Sequence, residues 1–126
     1  MLKECTLIEP LMVKETENVV VVAQKLREHL IRHIYVVNDN GHPVGVISTT
    51  DINNRVVAEG KNPTTLKAKD IMTKPIASFD ETTEERSVYK ECIKSKIATC
   101  PVTRNGKLFA MVTIEELLRK ITQVEN

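Results

Sequence analysis

The sequence has no tryptophan, and tyrosine and phenylalanine together make up only 3% of its 126 residues. That is too few aromatics for the stacking platforms that hold single-stranded nucleic acid. Neither sign of charge is in excess, with 18 Lys and Arg against 17 Asp and Glu. A dominant electrostatic footprint for nucleic acid or for an anionic membrane surface is therefore not expected. No apolar run approaches the roughly 20 residues that cross a bilayer. The opening Met1-Leu2-Lys3-Glu4-Cys5-Thr6 carries an acid and lacks a signal peptide's apolar core. A cytoplasmic location is the resulting expectation. Cysteine is scarce: Cys5, Cys92 and Cys100 are odd in number and scattered, which is not a disulfide framework. Cys92 and Cys100 are expected to act as small core apolars.

Several chemistries are missing as well. There is no G-x-x-x-x-G-K-[ST] phosphate loop. His29 and His33 have the four-residue spacing of a helical metal pair, but Leu30-Ile31-Arg32 between them contains no glutamate and no third ligand is evident. We expect no metal site. Nothing resembles a nucleophile paired with a base, so the chain is not expected to be an enzyme or to carry a covalent cofactor.

What the chain does have is a repeat. Cys5-Thr6-Leu7-Ile8-Glu9-Pro10 resembles Asp70-Ile71-Met72-Thr73-Lys74-Pro75 at an offset of 65. Asn40-Gly41 meets Asn105-Gly106, and Ser48 and Asp51 meet Thr113 and Glu116, at the same offset. Val36 and Val37 meet Val102 and Thr103 at 66. The repeat divides the chain into a first unit at 1–60, a polar linker at 61–69 and a second unit at 70–126. Neither unit is large enough to bury a sufficient core alone, so one compact pair is expected.

Each unit reads β-α-β-β-α, an α/β (α+β) fold. In the first, Leu11–Val13 is a strand and Asn18 an N-cap. Val19, Val22, Ala23, Leu26 and Leu30 recur at helical spacing. Ile34–Val37 and Val44–Ile47 form a hairpin around Asn38-Asp39-Asn40-Gly41. A helix from Thr49 to Gly60 turns Ile52, Val56 and Val57 inward. In the second, strands are expected at 76–79, 101–103 and 108–112. Helices are expected at 83–94 and at 114–124, the latter with Leu117, Leu118 and Ile121 on its apolar face.

Two strand-to-helix junctions carry the candidate chemistry. Ser48-x-x-Asp51 puts a hydroxyl and a carboxylate on the first turn of a helix. There a carboxylate can accept both cis hydroxyls of a ribose, and the free N–H groups favour a phosphate. The same spacing also makes a capping box, and Thr113-x-x-Glu116 fits that box with the preferred acid. Gly45 leaves room for close backbone approach. Arg55, four residues beyond Asp51, is placed to pair with it along the helix.

These residues carry a likeness. Gly45-Val46-Ile47-Ser48-Thr49-Thr50-Asp51, Tyr35-Val36-Val37-Asn38-Asp39-Asn40-Gly41, Asp70-Ile71-Met72-Thr73-Lys74-Pro75 and Pro101-Val102, in this order and duplicated, resemble a tandem pair of cystathionine-β-synthase (CBS) domains. Such a pair is called a Bateman module. The segment 51–60 resembles small stand-alone members. The resemblance implies two units packed about a pseudo-twofold axis. It implies a non-catalytic sensor that binds AMP, ADP, ATP or S-adenosylmethionine in a cleft between the units and regulates a protein target not named by the sequence. It further implies a homodimer. Carried over residue by residue, Ser48 and Asp51 hold ribose and phosphate. Met12, Val13, Tyr35 and Val36 cover the adenine, with Tyr35 standing where proline is usual. Arg32 and His33 either contact phosphate or simply complement a helix end. A weaker second site would use Thr113, Glu116 and Pro101, but Ala110 replaces the motif's glycine and Glu116 its aspartate. The alternative is a ligand-free protein-interaction module in which both motifs only cap helices. Nucleic-acid binding is less favoured on charge.

Overall fold

The computed structural model describes residues 1–29 and 32–123. The chain folds as two compact units, residues 11–76 and residues 1–10 together with 77–126. These contact units and the sequence repeat divide the chain differently. The first ten residues fold with the second half, and the expected linker 61–69 belongs to the 11–76 unit.

In the 11–76 unit, β1 (Met12–Lys14) lies parallel to β2 (His33–Val37), which is antiparallel to β3 (Pro43–Ser48). Helix α1 (Val19–His29) begins with four valines, a poor start for β-branched residues. Tertiary packing outweighs that preference: Val19 and Val22 are fully buried with Leu26, while Asn18 Oδ1 accepts the Val20 N–H at 2.9 Å as an N-cap. Leu30, expected on the same face, lies outside the described residues. The expected linker is tied to the start of α1. Val19 N–H donates to Leu66 O at 3.0 Å and Asn18 Nδ2 to Thr64 O at 2.9 Å. A short helix, α3 (Ala68–Ile71), follows and adds Ala68 and Ile71 to the core.

The helix expected over 49–60 is α2 (Thr49–Ile52) continued by a π-helical turn, Asn53–Val57. The wider turn brings Val56 to the core and leaves Val57 66% exposed, correcting the expectation that both face inward. Gly45 is corrected too. A Cβ built on it would lie 2.5 Å from Met72 Sδ and 3.1 Å from Met72 Cβ. The close approach that glycine permits is thus made by Met72, a partly buried member of the same core. Gly45→Ala should therefore destabilise by about 1–2 kcal/mol through overpacking. In urea melts, Gly45→Ala combined with Met72→Ala should cost less than the sum of the two.

In the other unit, β4 (Phe79–Asp80) is parallel to β5 (Thr99–Arg104), which pairs antiparallel with β6 (Lys107–Thr113). Helices α4 (Glu85–Ser95) and α5 (Ile114–Thr122) pack on this sheet's core through Val88, Cys92 and Leu117. The strand expected at 76–79 is shorter and displaced. In the first sheet the Tyr35 N–H donates to Leu11 O at 3.0 Å, ahead of the Met12–Tyr35 pair. Pro101 has no N–H to make the corresponding bond, so pairing begins only at Phe79 and Val102. Leu118 is 46% exposed instead of buried, one residue round the helix from the fully buried Leu117. Val124, the expected helix end, is outside the described residues. The β5–β6 turn has positive φ at Asn105 and Gly106 (54° and 79°), as a two-residue hairpin requires. Cys92 and Cys100 are both fully buried and are joined sulfur to sulfur, with their Cα atoms 7.4 Å apart. Both lie in the core, as expected of small apolar residues; the pairing was not expected, and arises because α4 and β5 bring the two side chains into one place in the core.

Candidate functional site

Strand register sorts the candidate residues of the 11–76 unit by face. Met12 pairs with Tyr35, Tyr35 with Val46, and His33 with Ser48. Partners in register point the same way, and faces alternate along a strand. Met12, Tyr35, Val46, His33 and Ser48 therefore share one face. Val13 and Val36 lie on the other, within the core packed by α1. The four side chains expected over an adenine are thus split. Met12 and Tyr35 share the face of Ser48, and Val13 and Val36 do not. Val46, not anticipated, completes that face, and its alternation with Ile47 along the expected strand was the signal for it. Tyr35 is buried, while Arg32 and His33 are exposed at the start of β2. Arg32 O accepts the Thr49 N–H at 3.1 Å, which places this basic pair at the start of α2.

At the junction itself, Ser48 Oγ accepts the Asp51 N–H at 3.1 Å and Asp51 Oδ2 accepts the Ser48 N–H at 2.9 Å. The capping box is closed. The second oxygen is held loosely: Thr73 Oγ1 donates to Asp51 Oδ1 at 3.3 Å and Arg55 Nη2 stands 3.7 Å away. The expected Asp51–Arg55 pair is present, though Arg55 Nη1 makes its closer bond to Ile71 O at 2.8 Å. Thr73 was missed because it lies 22 residues from Asp51 in the chain and no local spacing links the two. A cavity of about 260 Å³ opens nearby between Ala23, Leu26, Arg27, Thr49 and Ile52, on the helical side of the unit.

The corresponding junction in the other unit is built differently. Thr113 Oγ1 accepts the Glu116 N–H at 3.2 Å, but Glu116 does not return the bond to Thr113. The expectation that this pair makes the better capping box is corrected. Its carboxylate instead accepts the Thr6 N–H at 2.6 Å and both arms of Arg119, at 2.7 and 2.8 Å. Arg119 hydrogen bonding first, then the Thr6 N–H, hold the Glu116 carboxyl at about 2, although burial acts the other way. An i,i+3 spacing to Arg119 was visible in the sequence, whereas the Thr6 contact spans 110 residues. Pro101 is buried within β5. A cavity of about 270 Å³ is lined by Thr6, Ile8, Thr113, Glu115, Glu116 and Arg119. Among the described residues, no group of three or more His, Cys, Asp or Glu is placed to hold a metal, and no helix is long and apolar enough to cross a membrane.

Two three-stranded sheets, each continued by a helix from a Ser or Thr cap, define a duplicated α/β module. The CBS domain family model matches residues 3–58 and 68–123, and the chain belongs to that family as a tandem pair. An uncharacterised protein of Methanopyrus kandleri is 36% identical over 105 residues, covering 82% of this chain and 54% of its own length. The chain thus spans about half of that relative. The uncharacterised protein YlbB of Bacillus subtilis is 30% identical over 102 residues, 80% of this chain and 68% of its own. Among solved structures, Hypoxic Response Protein I with two coordinated zinc ions superposes with a TM-score of 0.78 at 22% identity, covering 94% of this chain and 96% of that one. A CBS domain pair in complex with 5′-methylthioadenosine and S-adenosyl-L-methionine gives 0.72 at 23%, covering 98% and 97%. At these identities the structural likeness establishes the fold.

Proposed function

We propose that this CBS pair is a non-catalytic regulatory module that binds an adenosine ligand at the Ser48–Asp51 junction. The observation that carries the reading is the unequal state of the two junction acids. Asp51 Oδ1 has only a 3.3 Å hydroxyl and a 3.7 Å guanidinium beside it, so a ribose hydroxyl can compete for it. Glu116 has no such opening. In this reading Asp51 accepts from ribose, Met12, Tyr35 and Val46 flank the base, and Arg32 and His33 stand near an anionic phosphate. The solved CBS pair that holds methylthioadenosine and S-adenosylmethionine supports the ligand class. Regulation follows if the ligand prefers one arrangement of a partner-bound module over another, since only differential affinity shifts an equilibrium.

Melting the full chain with AMP, ADP, ATP and S-adenosylmethionine tests this. A ligand at 100 times its Kd should stabilise by about 2.7 kcal/mol. No shift with any of the four at millimolar concentration sinks the reading. The closed capping box favours a second reading, a ligand-free interaction module, which predicts that flat outcome. A homodimer and a cytoplasmic setting remain part of the proposal, and light scattering of the purified chain checks the first.

A further inference from the structure

The N-terminal segment is held to its unit along most of its length. Leu2 is fully buried, and its N–H donates to Thr83 O at 2.9 Å; the Lys3 N–H donates to Glu81 O at 2.9 Å. Further on, Ile8 and Met111 exchange backbone bonds of 2.9 and 2.8 Å. Thr6 lies between these anchors, and its N–H donates to Glu116 Oε2, not to a backbone carbonyl. The same carboxylate takes a two-armed grip from Arg119, the geometry that makes guanidinium–carboxylate pairs strong. The partners available decide the difference from the first junction, since a glutamate at this place can also close a capping box. The shorter Asp51 folds back on the Ser48 N–H, while Glu116 reaches past Thr113 to the neighbouring segment.

We infer that Glu116 is a latch acid that fastens residues 1–10 to α5 and not a ribose acid, so that the chain offers one adenosine site instead of two. The stoichiometric half of this inference rests on the reading of Ser48 and Asp51 given above; the latch does not. A ribose entering beside Thr113 and Ile8 would meet a carboxylate whose oxygens are already committed. Displacing it would strand the Arg119 guanidinium and the Thr6 N–H together.

Amide hydrogen exchange on the full chain tests the latch. The Thr6 amide should be protected in the native protein and exchange at least tenfold faster in Glu116→Ala, with amides of residues 11–76 unchanged. Equal rates in the two proteins overturn it. Should Glu116→Ala fail to fold, Arg119→Ala keeps the Thr6 acceptor but removes the grip, and an acceleration at Thr6 is again required. Calorimetry with AMP tests the stoichiometry: one equivalent per chain is expected, in the native protein and in Glu116→Ala alike, and two equivalents overturn the inference. No AMP binding at all removes the adenosine reading of Ser48 and Asp51, and the exchange rates still decide the latch.

Discussion

Asp51→Ala should weaken binding of AMP, or of whichever adenosine ligand raises the melting temperature, by at least 100-fold, while lowering stability by only about 1 kcal/mol. The two effects come from different oxygens. Oδ2 closes the capping box on the Ser48 N–H, and loss of a cap typically costs about 1 kcal/mol. Oδ1, held only by a 3.3 Å hydroxyl and a 3.7 Å guanidinium, is the oxygen that would accept ribose in the proposed reading, and charge-assisted bonds of that kind are the strong ones. An asparagine side chain keeps one carbonyl oxygen to accept the Ser48 N–H, so Asp51→Asn should cost no more than about 1 kcal/mol yet still lose most of the affinity, because the amide offers a donor where the ribose needs an acceptor. Glu116→Ala should leave AMP affinity unchanged. Titration calorimetry beside urea melts separates the effects. An Asp51→Ala protein that keeps its affinity within threefold removes Asp51 from the site, and a stability loss without any ligand effect leaves it a cap alone.

The repeat made the fold legible. Its nearly constant offset placed both hairpins, both junctions and three of the five principal helices, α1, α4 and α5, to within a residue or two, because apolar periodicity and Asn-Gly turns are local signals. What escaped were consequences of packing between distant segments. Pro101 was visible as a family match, but its cost appears only when a parallel neighbour needs the N–H it lacks. Gly45 was visible as a small residue, but only the fold shows that Met72, 27 residues on, fills the space beside it. At Ala110, the repeat partner of Gly45, the residue matching Met72 is Leu7, itself packed against the core of its unit. The candidate site's junction was legible in its motif, and the sheet faces of the residues around it were not. Strand parity divides Met12 and Tyr35 from Val13 and Val36, and a motif carried over as a list of positions does not contain that parity. The equivalence of the two junctions was an appearance of spacing, since spacing does not say where a side chain one carbon longer will find its partners.

That longer side chain carries the second large effect, a loss of stability in acid that Glu116→Gln should diminish. The Arg119 grip, helped by the Thr6 N–H, lowers the Glu116 carboxyl from its ordinary 4.5 to about 2 in the folded chain. A group depressed in this way stabilises the fold fully above its unfolded value and loses that contribution as pH falls from about 4.5 through about 2. At about 1.4 kcal/mol per pH unit of separation the contribution would reach about 3 kcal/mol. Arg119 is 49% exposed, so solvent screening brings the expectation down to about 2 kcal/mol. Glu4, Asp80 and Glu85 are lowered as well, Glu4 and Glu85 by the N-terminal ammonium and Asp80 by Thr82. The native slope in acid is therefore not Glu116's alone, and the difference between native and Glu116→Gln proteins isolates its share. Urea melts at intervals between pH 6 and pH 2 should show the two curves about 2 kcal/mol apart at pH 6 and converging toward pH 2. Curves that stay parallel across that window would mean that the carboxylate is not held by Arg119 and Thr6 in solution. The same result would leave the N-terminal segment without its latch.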